Sequence, residues 1–277
     1  MVFVQLVLML VINVTVLIVG LILNSLVVLC WLKSSQLQKK ACHFTICVLS
    51  CGDLVEVAAN TPILIAELIF RIGEKESLSK VLLIARYFDV FLSFSMFTML
   101  LVSIERYLAI FHPILHHTKI KKTLLIKLHF VHLFISINIF LVHVTEHFIA
   151  SAILCCLLFI FPFVYVNTKL HIISKKYRQK NFPTCENDNQ PSKKGKFYVK
   201  SISTYLLLVA CVVIGYIIST VNFLFFALQK KNARALNPTW EKTFWCINST
   251  TNCLIMFWRQ KHLRSEAKNI IKRLTKH

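Results

Sequence analysis

The sequence is poor in charged residues, glycine and proline for its length. Of its 277 residues, 16% are charged, whereas a soluble domain usually carries about 25%. This deficit excludes an ordinary water-facing surface. Five glycines and six prolines argue against a turn-rich β fold, and long apolar runs differ from the short alternating strands of a membrane β-barrel. We therefore predict an all-α membrane protein.

Acidic residues are scarce as well. Twelve Asp and Glu stand against 32 Lys and Arg, a formal charge of +20. In a soluble protein this excess would indicate nucleic-acid binding, but here the basic residues fall between apolar stretches, where they set membrane topology. The sequence also lacks a Gly-rich phosphate loop, an HExxH motif and an internal repeat. We predict neither a nucleic-acid partner nor an enzymatic activity.

Seven stretches are long and apolar enough to cross a bilayer, which takes about 20 residues. The predicted helices cover about 3–32, 42–70, 81–111, 123–144, 147–172, 201–228 and 238–258. A basic amphipathic stretch at about 260–275 is predicted to lie along the inner membrane face. The polar segment 180–197 contains two prolines and is predicted to be a mobile inner loop. The chain is thus one seven-helix domain, 1–277.

Basic residues divide unevenly between the two sides of this bundle. The connections on one side carry 23 Lys and Arg, and those on the other carry seven. Because positive residues stay in the cytoplasm, we expect an extracellular N-terminus and a cytoplasmic C-terminus. The first apolar stretch is expected to be retained as a span.

Ionisable residues within a predicted span indicate function, since they are costly in lipid. The residues that stand out are Asp53, Glu56, Asp89 and the pair Glu105 and Arg106. A carboxylate such as Asp53 needs hydrogen-bond donors or a cation, or it takes up a proton. Uncharged polar residues at comparable depths are Asn24, Ser95, Asn248 and Asn252. One interpretation is plain helix packing, in which Asp53 bonds Asn24 and Asn252 across the bundle.

The strongest motif lies at residues 103–114, which read SIERYLAIFHPI. The acidic-Arg-Tyr triplet Glu105-Arg106-Tyr107, followed by Pro113 seven residues after the arginine, resembles the inner end of the third helix in rhodopsin-like G-protein-coupled receptors.

Other landmarks resemble the same family. Asn24 and Asp53 resemble its first- and second-helix polar residues, and the separations of 29 residues to Asp53 and a further 53 to Arg106 are similar to the family's. The segment NSTTNCLIMFWR at 248–259 resembles the family's seventh-helix motif.

The resemblance implies a plasma-membrane receptor that passes the signal of an unknown extracellular ligand to a heterotrimeric G protein. Arg106 would contact the G protein, and Glu105 would hold it in the resting state beside Tyr107. Pro113 and Ile114 would form part of the same contact. A purely structural ion pair between Glu105 and Arg106 is the competing interpretation.

The family also binds a sodium ion midway through the bundle. The matching positions all carry side-chain oxygen here, namely Asp53, Ser95, Asn248, Ser249 and Asn252, with Asn24 in the same polar layer. Hard cations prefer oxygen ligands, so a sodium or proton site and a plain polar network both remain as interpretations. No other cofactor is predicted.

Several positions depart from the family pattern. Cys253 and Met256 replace the seventh-helix Pro and Tyr, and Ile218 stands where the sixth helix has its Pro. Without that Pro the helix lacks its usual kink. No cysteine lies between 52 and 154, so the family's disulfide to the second outer loop cannot form.

Ligand-binding residues are predicted at Glu56, Arg86, Asp89 and Tyr216. Asp89 could pair with an amine, but it lies one residue nearer to Arg106 than in amine receptors. One residue turns a helix by about 100°, and an internal Arg86–Asp89 pair is the competing interpretation.

Two other functions compete with a signalling receptor. The first is a non-signalling relative, such as a decoy or heteromer partner, that has lost the sixth- and seventh-helix switch. The second is an ion transporter or channel that uses Asp53 and Glu56. The sequence indicates neither a G-protein subtype nor an oligomeric state.

Overall fold

The protein is described here from a computed structural model, in which no strand occurs among the described residues. Those residues are 2–39, 41–73, 94–95, 97–105, 107–109, 111–144, 161–180 and 238–275. Four predicted features lie outside them in whole or part: the sixth helix at 201–228, residues 81–93 of the third, residues 147–160 of the fifth, and residues 181–197 of the inner loop.

The described residues contain helices with the following bounds: α1 Val2–Lys33, α2 Ser35–Gln38, α3 Ala41–Ile72, α4 Pro113–Lys119, α5 Lys122–Val144, α6 Phe161–Lys180, α7 Pro238–Arg259 and α8 Lys261–Leu274. Further helical residues at 94–95, 97–105, 107–109 and 111 lie between α3 and α4 and are called the third-helix residues.

The bounds of α1, α3, α5, α7 and α8 differ by at most two residues from the predicted ones. The helix α6 differs more, because it ends at Lys180 whereas the apolar stretch was predicted to end at 172. Residues 173–180 read ISKKYRQK, and Lys, Arg and Gln are good helix formers in water. The apolar run marks the limit of a span and not the limit of the helix.

One helix among the described residues is both long and apolar enough to cross a membrane by its composition. It covers Phe3–Lys33. The helix α3 is less apolar because it carries Asp53, Glu56, Glu67 and Arg71.

A large apolar cluster connects helices at one end of the described structure and is called the α8-end cluster. It comprises Val27, Cys30, Leu37, Ile46, Leu49, Met99, Leu100, Val102, Phe163, Cys253, Ile255, Met256, Leu263, Ala267 and Ile270. It draws on α1, α2, α3, α6, α7, α8 and the third-helix residues. The amphipathic face of α8 thus packs onto the bundle.

The start of α5 lies at the same end of the molecule. The Lys122 ammonium sits 4.9 Å from the centre of the Trp31 ring and 5.4 Å from that of Phe44, distances typical of cation–π contacts. Trp31 belongs to the end of α1 and Phe44 to the start of α3, so three helix ends meet there.

A smaller apolar cluster joins α1, α3 and α7 at the other end and is called the opposite-end cluster. It comprises Leu6, Met9, Val16, Leu64, Leu68 and Cys246. Between the two clusters α1 approaches its neighbours closely at Gly20, where an added Cβ would lie 2.6 Å from the Thr250 hydroxyl oxygen and 3.1 Å from Val57. Small residues permit such close helix contacts in membranes.

Candidate functional site

The centre of the described helices holds a buried carboxylate. Asp53, on α3, is 1% exposed. The Ser95 hydroxyl donates to its Oδ1 at 2.7 Å, and the Asn252 amide donates to its Oδ2 at 3.3 Å. One side chain therefore ties α3 both to the third-helix residues and to α7.

Ser249 extends this group on α7. It lies one turn before Asn252, so the two residues share a helix face. Ser249 is a further neighbour of the Asp53 carboxyl group, and its hydroxyl also donates to the Trp245 carbonyl oxygen at 3.4 Å. Asp53, Ser95, Ser249 and Asn252 together form what is called the Asp53 layer.

Three amide oxygens near this depth are buried acceptors. The Oδ1 atoms of Asn24, Asn248 and Asn252 have no hydrogen-bond partner within the part of the chain that the structure describes. Carbonyl and carboxylate oxygens are what a hard cation takes as ligands, so the residues present fit a sodium ion. No group of three or more His, Cys, Asp or Glu able to hold a metal occurs among the described residues.

The predicted contact between Asp53 and Asn24 is not made. The Asn24 amide donates instead to the Gly20 carbonyl oxygen on its own helix, at 2.9 Å. Asn side chains compete for backbone carbonyls in this way. The helix-packing interpretation had both Asn24 and Asn252 bonded to Asp53, and of these two residues Asn252 alone donates to its carboxylate.

The acidic residue of the triplet has a partner that the sequence reasoning missed. Glu105 is 4% exposed, and its Oε1 lies 2.9 Å from Nε2 of His116 on α4. Arg106 lies outside the described residues, so the expected Glu105–Arg106 pair does too. Tyr107 packs its ring against Phe111, with the ring centres 4.4 Å apart.

Pro113 and Ile114 begin the short helix that carries His116. α4 starts at Pro113, where a fixed φ suits the first turn and the missing N–H costs nothing. Ile114 is 80% exposed, so a large apolar side chain faces outward beside the triplet.

A comparison with known families gives one match. The family described as "7 transmembrane receptor (rhodopsin family)" matches residues 23–148, somewhat less than half of the chain. This chain is a relative of the rhodopsin-family receptors. The match implies a seven-helix bundle in the plasma membrane, and the family consists of receptors and not of enzymes. No curated protein matches the chain.

Two residues of the predicted seventh-helix motif lie deep in the α8-end cluster. Cys253 is 2% exposed and Met256 is 1% exposed. The Cys253 thiol contacts Ser50 and lies close to Asp53. By the resemblance, these two buried side chains take the places of a helix-bending Pro and a Tyr.

The predicted ligand residues are mostly outside the described part of the receptor relative. Arg86, Asp89 and Tyr216 lie outside it. Glu56 is 1% exposed, and its Oε1 accepts a hydrogen bond from the Asn60 amide at 2.9 Å.

An ion pair between residues one helical turn apart, near the opposite-end cluster, was also not predicted from the sequence. Arg71 Nε lies 2.7 Å from Glu67 Oε1, and Glu67 is fully buried. The four-residue spacing on a helix was the available signal.

Proposed function

We propose that the chain is a receptor that transduces an extracellular ligand to a heterotrimeric G protein. The observation that carries the proposal is the family match over residues 23–148. That segment contains Asp53 and the triplet Glu105-Arg106-Tyr107, which in the family serve the switch and the coupling surface. A ligand would shift a two-state bundle towards the form that accepts the G protein.

The proposed coupling surface lies at the α8 end. Arg106 would reach the G protein, and Glu105 would hold it in the resting state. Pro113 starts α4 beside the triplet, and the exposed Ile114 supplies an apolar contact to the partner.

The proposed topology places the α8 end in the cytoplasm and the N-terminus outside. Basic residues gather at that end: Lys33 closes α1 and Lys122 opens α5. The helix α8 adds Lys261, Lys268 and further basic residues on its polar face. An excess of Lys and Arg of this kind marks the cytoplasmic side.

The proposed role of the Asp53 layer is to bind a sodium ion or a proton that favours one state of the bundle. Support comes from the buried carboxylate with donors on two other helices and from the buried acceptor oxygens of Asn248 and Asn252. A bound cation would let Asp53 remain ionised in low dielectric.

A second function, that of a non-signalling relative, has one observation in its favour. Cys253 and Met256 are buried where the family has its seventh-helix switch residues. Cavity-filling apolar side chains hold a packed arrangement in place. A chain of this kind would bind a ligand or a second receptor without opening to a G protein.

The test is basal G-protein dissociation in cells at matched surface expression. We expect a basal signal that Arg106→Ala abolishes, because the mutation removes the coupling cation. Lys127→Ala is the matched control, since it deletes one exposed positive charge within the first two turns of α5, a helix that does not carry the triplet.

The outcomes separate the two functions. A basal signal that survives Arg106→Ala as well as it survives Lys127→Ala contradicts the proposed coupling role. Surface protein that gives no signal, even when fused to a G-protein α subunit, favours the non-signalling relative.

A further inference from the structure

A cavity of about 340 Å³ lies between α2, the start of α3 and α8, a volume within the range of small-molecule sites. Its lining is mainly polar and includes Ser34, Lys39, His43, His262, Ser265 and Glu266. The space between these side chains is called the α2–α8 cavity. None of its residues belongs to the Asp53 layer or to the triplet, so it has no part in the function proposed above.

The wall formed by α2 is fixed by hydrogen bonds to the end of α1. The Gln38 amide donates to the carbonyl oxygens of Trp31 at 3.1 Å and of Leu32 at 2.9 Å. Leu37, which also lines the cavity, is 3% exposed and belongs to the α8-end cluster. A helix of four residues cannot persist alone in water, so these contacts give the cavity a preformed wall.

Ser34 places a buried hydroxyl in the same wall. It occupies the N-cap position of α2 with φ −109° and ψ 107°, yet its side chain does not cap the helix, although serine usually does so at this position. Ser34 is 6% exposed, and within the described residues its hydroxyl has no hydrogen-bond partner. Because buried polar groups are nearly always paired, this hydroxyl indicates a ligand in the cavity that it lines.

The facing wall is one side of α8. His262, Ser265 and Glu266 follow one another at three- and four-residue spacing, so they share a face of the helix. The neighbouring face carries Leu263 and Ala267, which are buried in the α8-end cluster and fix the rotation of α8. The imidazole and the hydroxyl supply donors, and Glu266 supplies a carboxylate acceptor.

The cavity contains one permanent cation and one permanent anion. Lys39 ends α2 and Glu266 lies on α8, and within the described part of the chain no salt bridge joins them. The imidazoles of His43 and His262 offer a ring N–H in either protonation state. This lining matches a ligand that carries one positive group and one negative group with several acceptor oxygens.

Phosphoethanolamine has this pattern of charge, because its phosphate oxygens accept hydrogen bonds and its ammonium donates them. Phosphocholine fits less well. Its quaternary ammonium cannot donate, and proteins recognise that group with cages of aromatic rings. No Phe, Tyr or Trp lines the cavity among the described residues.

Apolar side chains next to the cavity indicate that the ligand is a lipid. Leu29 is 39% exposed and Leu32 is 56% exposed on the last turns of α1, and Leu32 lies two residues before Ser34. On α8, Ile271 is 48% exposed. Outward-facing aliphatic side chains at this level of a membrane protein contact acyl chains, so a lipid can place its head group in the cavity and its chains along α1.

We propose that the α2–α8 cavity binds the phosphoethanolamine head group of a membrane lipid. The Lys39 ammonium, the Ser34 hydroxyl and the two imidazoles donate to the phosphate oxygens, and Glu266 accepts from the lipid ammonium. The bound lipid joins α2 to α8 and holds the amphipathic helix on the bundle. Its position in the cytoplasmic leaflet rests on the proposed topology, whereas binding itself does not depend on signalling.

Binding is measured by native mass spectrometry on the full-length chain in detergent micelles. Dioleoyl phosphatidylethanolamine is compared with dioleoyl phosphatidylcholine, whose ammonium cannot donate, and with dioleoyl phosphatidylglycerol, which has no ammonium. We expect phosphatidylethanolamine to bind about ten-fold more tightly than either, the equivalent of one hydrogen bond to a charged group. Equal affinities for the three lipids would overturn the proposal.

Two substitutions test the two charges separately. Glu266→Gln removes the acceptor for the ammonium, so phosphatidylethanolamine and phosphatidylglycerol should bind equally well. Lys39→Gln removes the cation beside the phosphate, so all three lipids should bind about ten-fold more weakly while the preference for phosphatidylethanolamine remains.

Lys268→Gln is the matched control, since Lys268 is exposed on α8 and does not line the cavity. It should leave all three affinities unchanged. The unfolding temperature of each lipid-free variant, compared with that of Lys268→Gln, shows whether the variant is folded. A ten-fold preference for phosphatidylethanolamine that persists in folded Glu266→Gln overturns the proposal.

Soluble glycerophosphoethanolamine distinguishes a lipid from a soluble ligand. At a concentration equal to that of the lipid it should leave the lipid bound, because it lacks the chains that contact Leu29 and Leu32. Full displacement would overturn the lipid source and assign the cavity to a soluble phosphate ester. A chain that binds the lipid as expected but gives no G-protein signal counts against the proposed function alone.

Discussion

The two ends of the described helices are held together by different means. The α8-end cluster is apolar and draws on seven helical elements. Among the described residues, the opposite-end cluster draws on α1, α3 and α7. These helices are also joined there by polar contacts: the Asn13 amide donates to the Thr243 hydroxyl at 2.8 Å, and the Thr61 hydroxyl contacts the Cys246 sulfur at 3.3 Å.

The contacts at the two ends can be compared in terms of how helices associate in lipid. Lipid removes the hydrophobic drive for helices to associate, so packing and interhelical hydrogen bonds hold a bundle together. Densely packed side chains resist small shifts of the helices. A single interhelical hydrogen bond contributes about 0.6 kcal/mol to the stability of the bundle. Where the structure describes the opposite end, α1, α3 and α7 therefore combine apolar packing with single interhelical hydrogen bonds.

The largest expected effect tests the packing of the two ends directly. Leu49→Ala in the α8-end cluster should destabilise the protein more than Leu68→Ala in the opposite-end cluster. Both leucines are buried, at 2% and 0% exposure, and such truncations cost about 2–5 kcal/mol. The free energy of unfolding in SDS titrations of the micelle-embedded protein measures the difference. A larger loss of unfolding free energy for Leu68→Ala would show that the opposite end depends more on packing than the α8 end does.

A second prediction concerns the helix contact between the two clusters. Gly20→Ala should lower the free energy of unfolding by about 1–3 kcal/mol, because the new Cβ would lie 2.6 Å from the Thr250 hydroxyl oxygen. The same titration measures it.

Gly52→Ala is the matched control for this contact. Its added Cβ would lie 3.0 Å from the Phe94 ring, and we expect a smaller loss. Equal losses would show that α1 does not depend on its close approach to α7.

Among the described residues, the bounds of α1, α3, α5 and α7 lie within two residues of the apolar runs. The ends of α1, α3 and α7 lie at or next to charged residues. Lys33 is the last residue of α1, and Arg71 is the second-last residue of α3. The end of α6 at Lys180 did not follow, because helix formers continue past the apolar limit.

Side-chain partners were harder to predict than helices. The approach of Ser95 and Asn252 to Asp53 could be anticipated from the family resemblance. Asn24 could not, because an amide on a helix chooses between its own carbonyls and a distant carboxylate by local geometry. The His116–Glu105 contact depends on the bend at His112, which no periodicity in the sequence reports.

The third prediction tests the layer between the two ends. If a sodium ion binds at Asp53, NaCl should stabilise the protein against unfolding, by about 1.4 kcal/mol at ten times the dissociation constant. Asp53→Asn keeps the size and much of the hydrogen bonding but removes the charge, so the response to NaCl should vanish. Choline chloride at equal ionic strength is the control. An identical NaCl response in Asp53→Asn contradicts the sodium site and leaves a plain polar network.

The smallest expected effect belongs to the opposite end. The single substitutions Asn13→Leu and Thr243→Val and their double mutant form a cycle around the 2.8 Å hydrogen bond between α1 and α7. The coupling free energy should be about 0.6 kcal/mol, the average for such bonds within membranes, because each side chain can find other partners when the helices separate. Asn13 also donates to the Met9 carbonyl oxygen on its own helix at 2.8 Å, which provides one such alternative. Hydrogen bonds to charged groups contribute about 1.5 kcal/mol or more. A coupling free energy in that range would show that the opposite end is held as firmly as the α8 end. In that case a ligand there would need to break this contact before it could move α1 against α7.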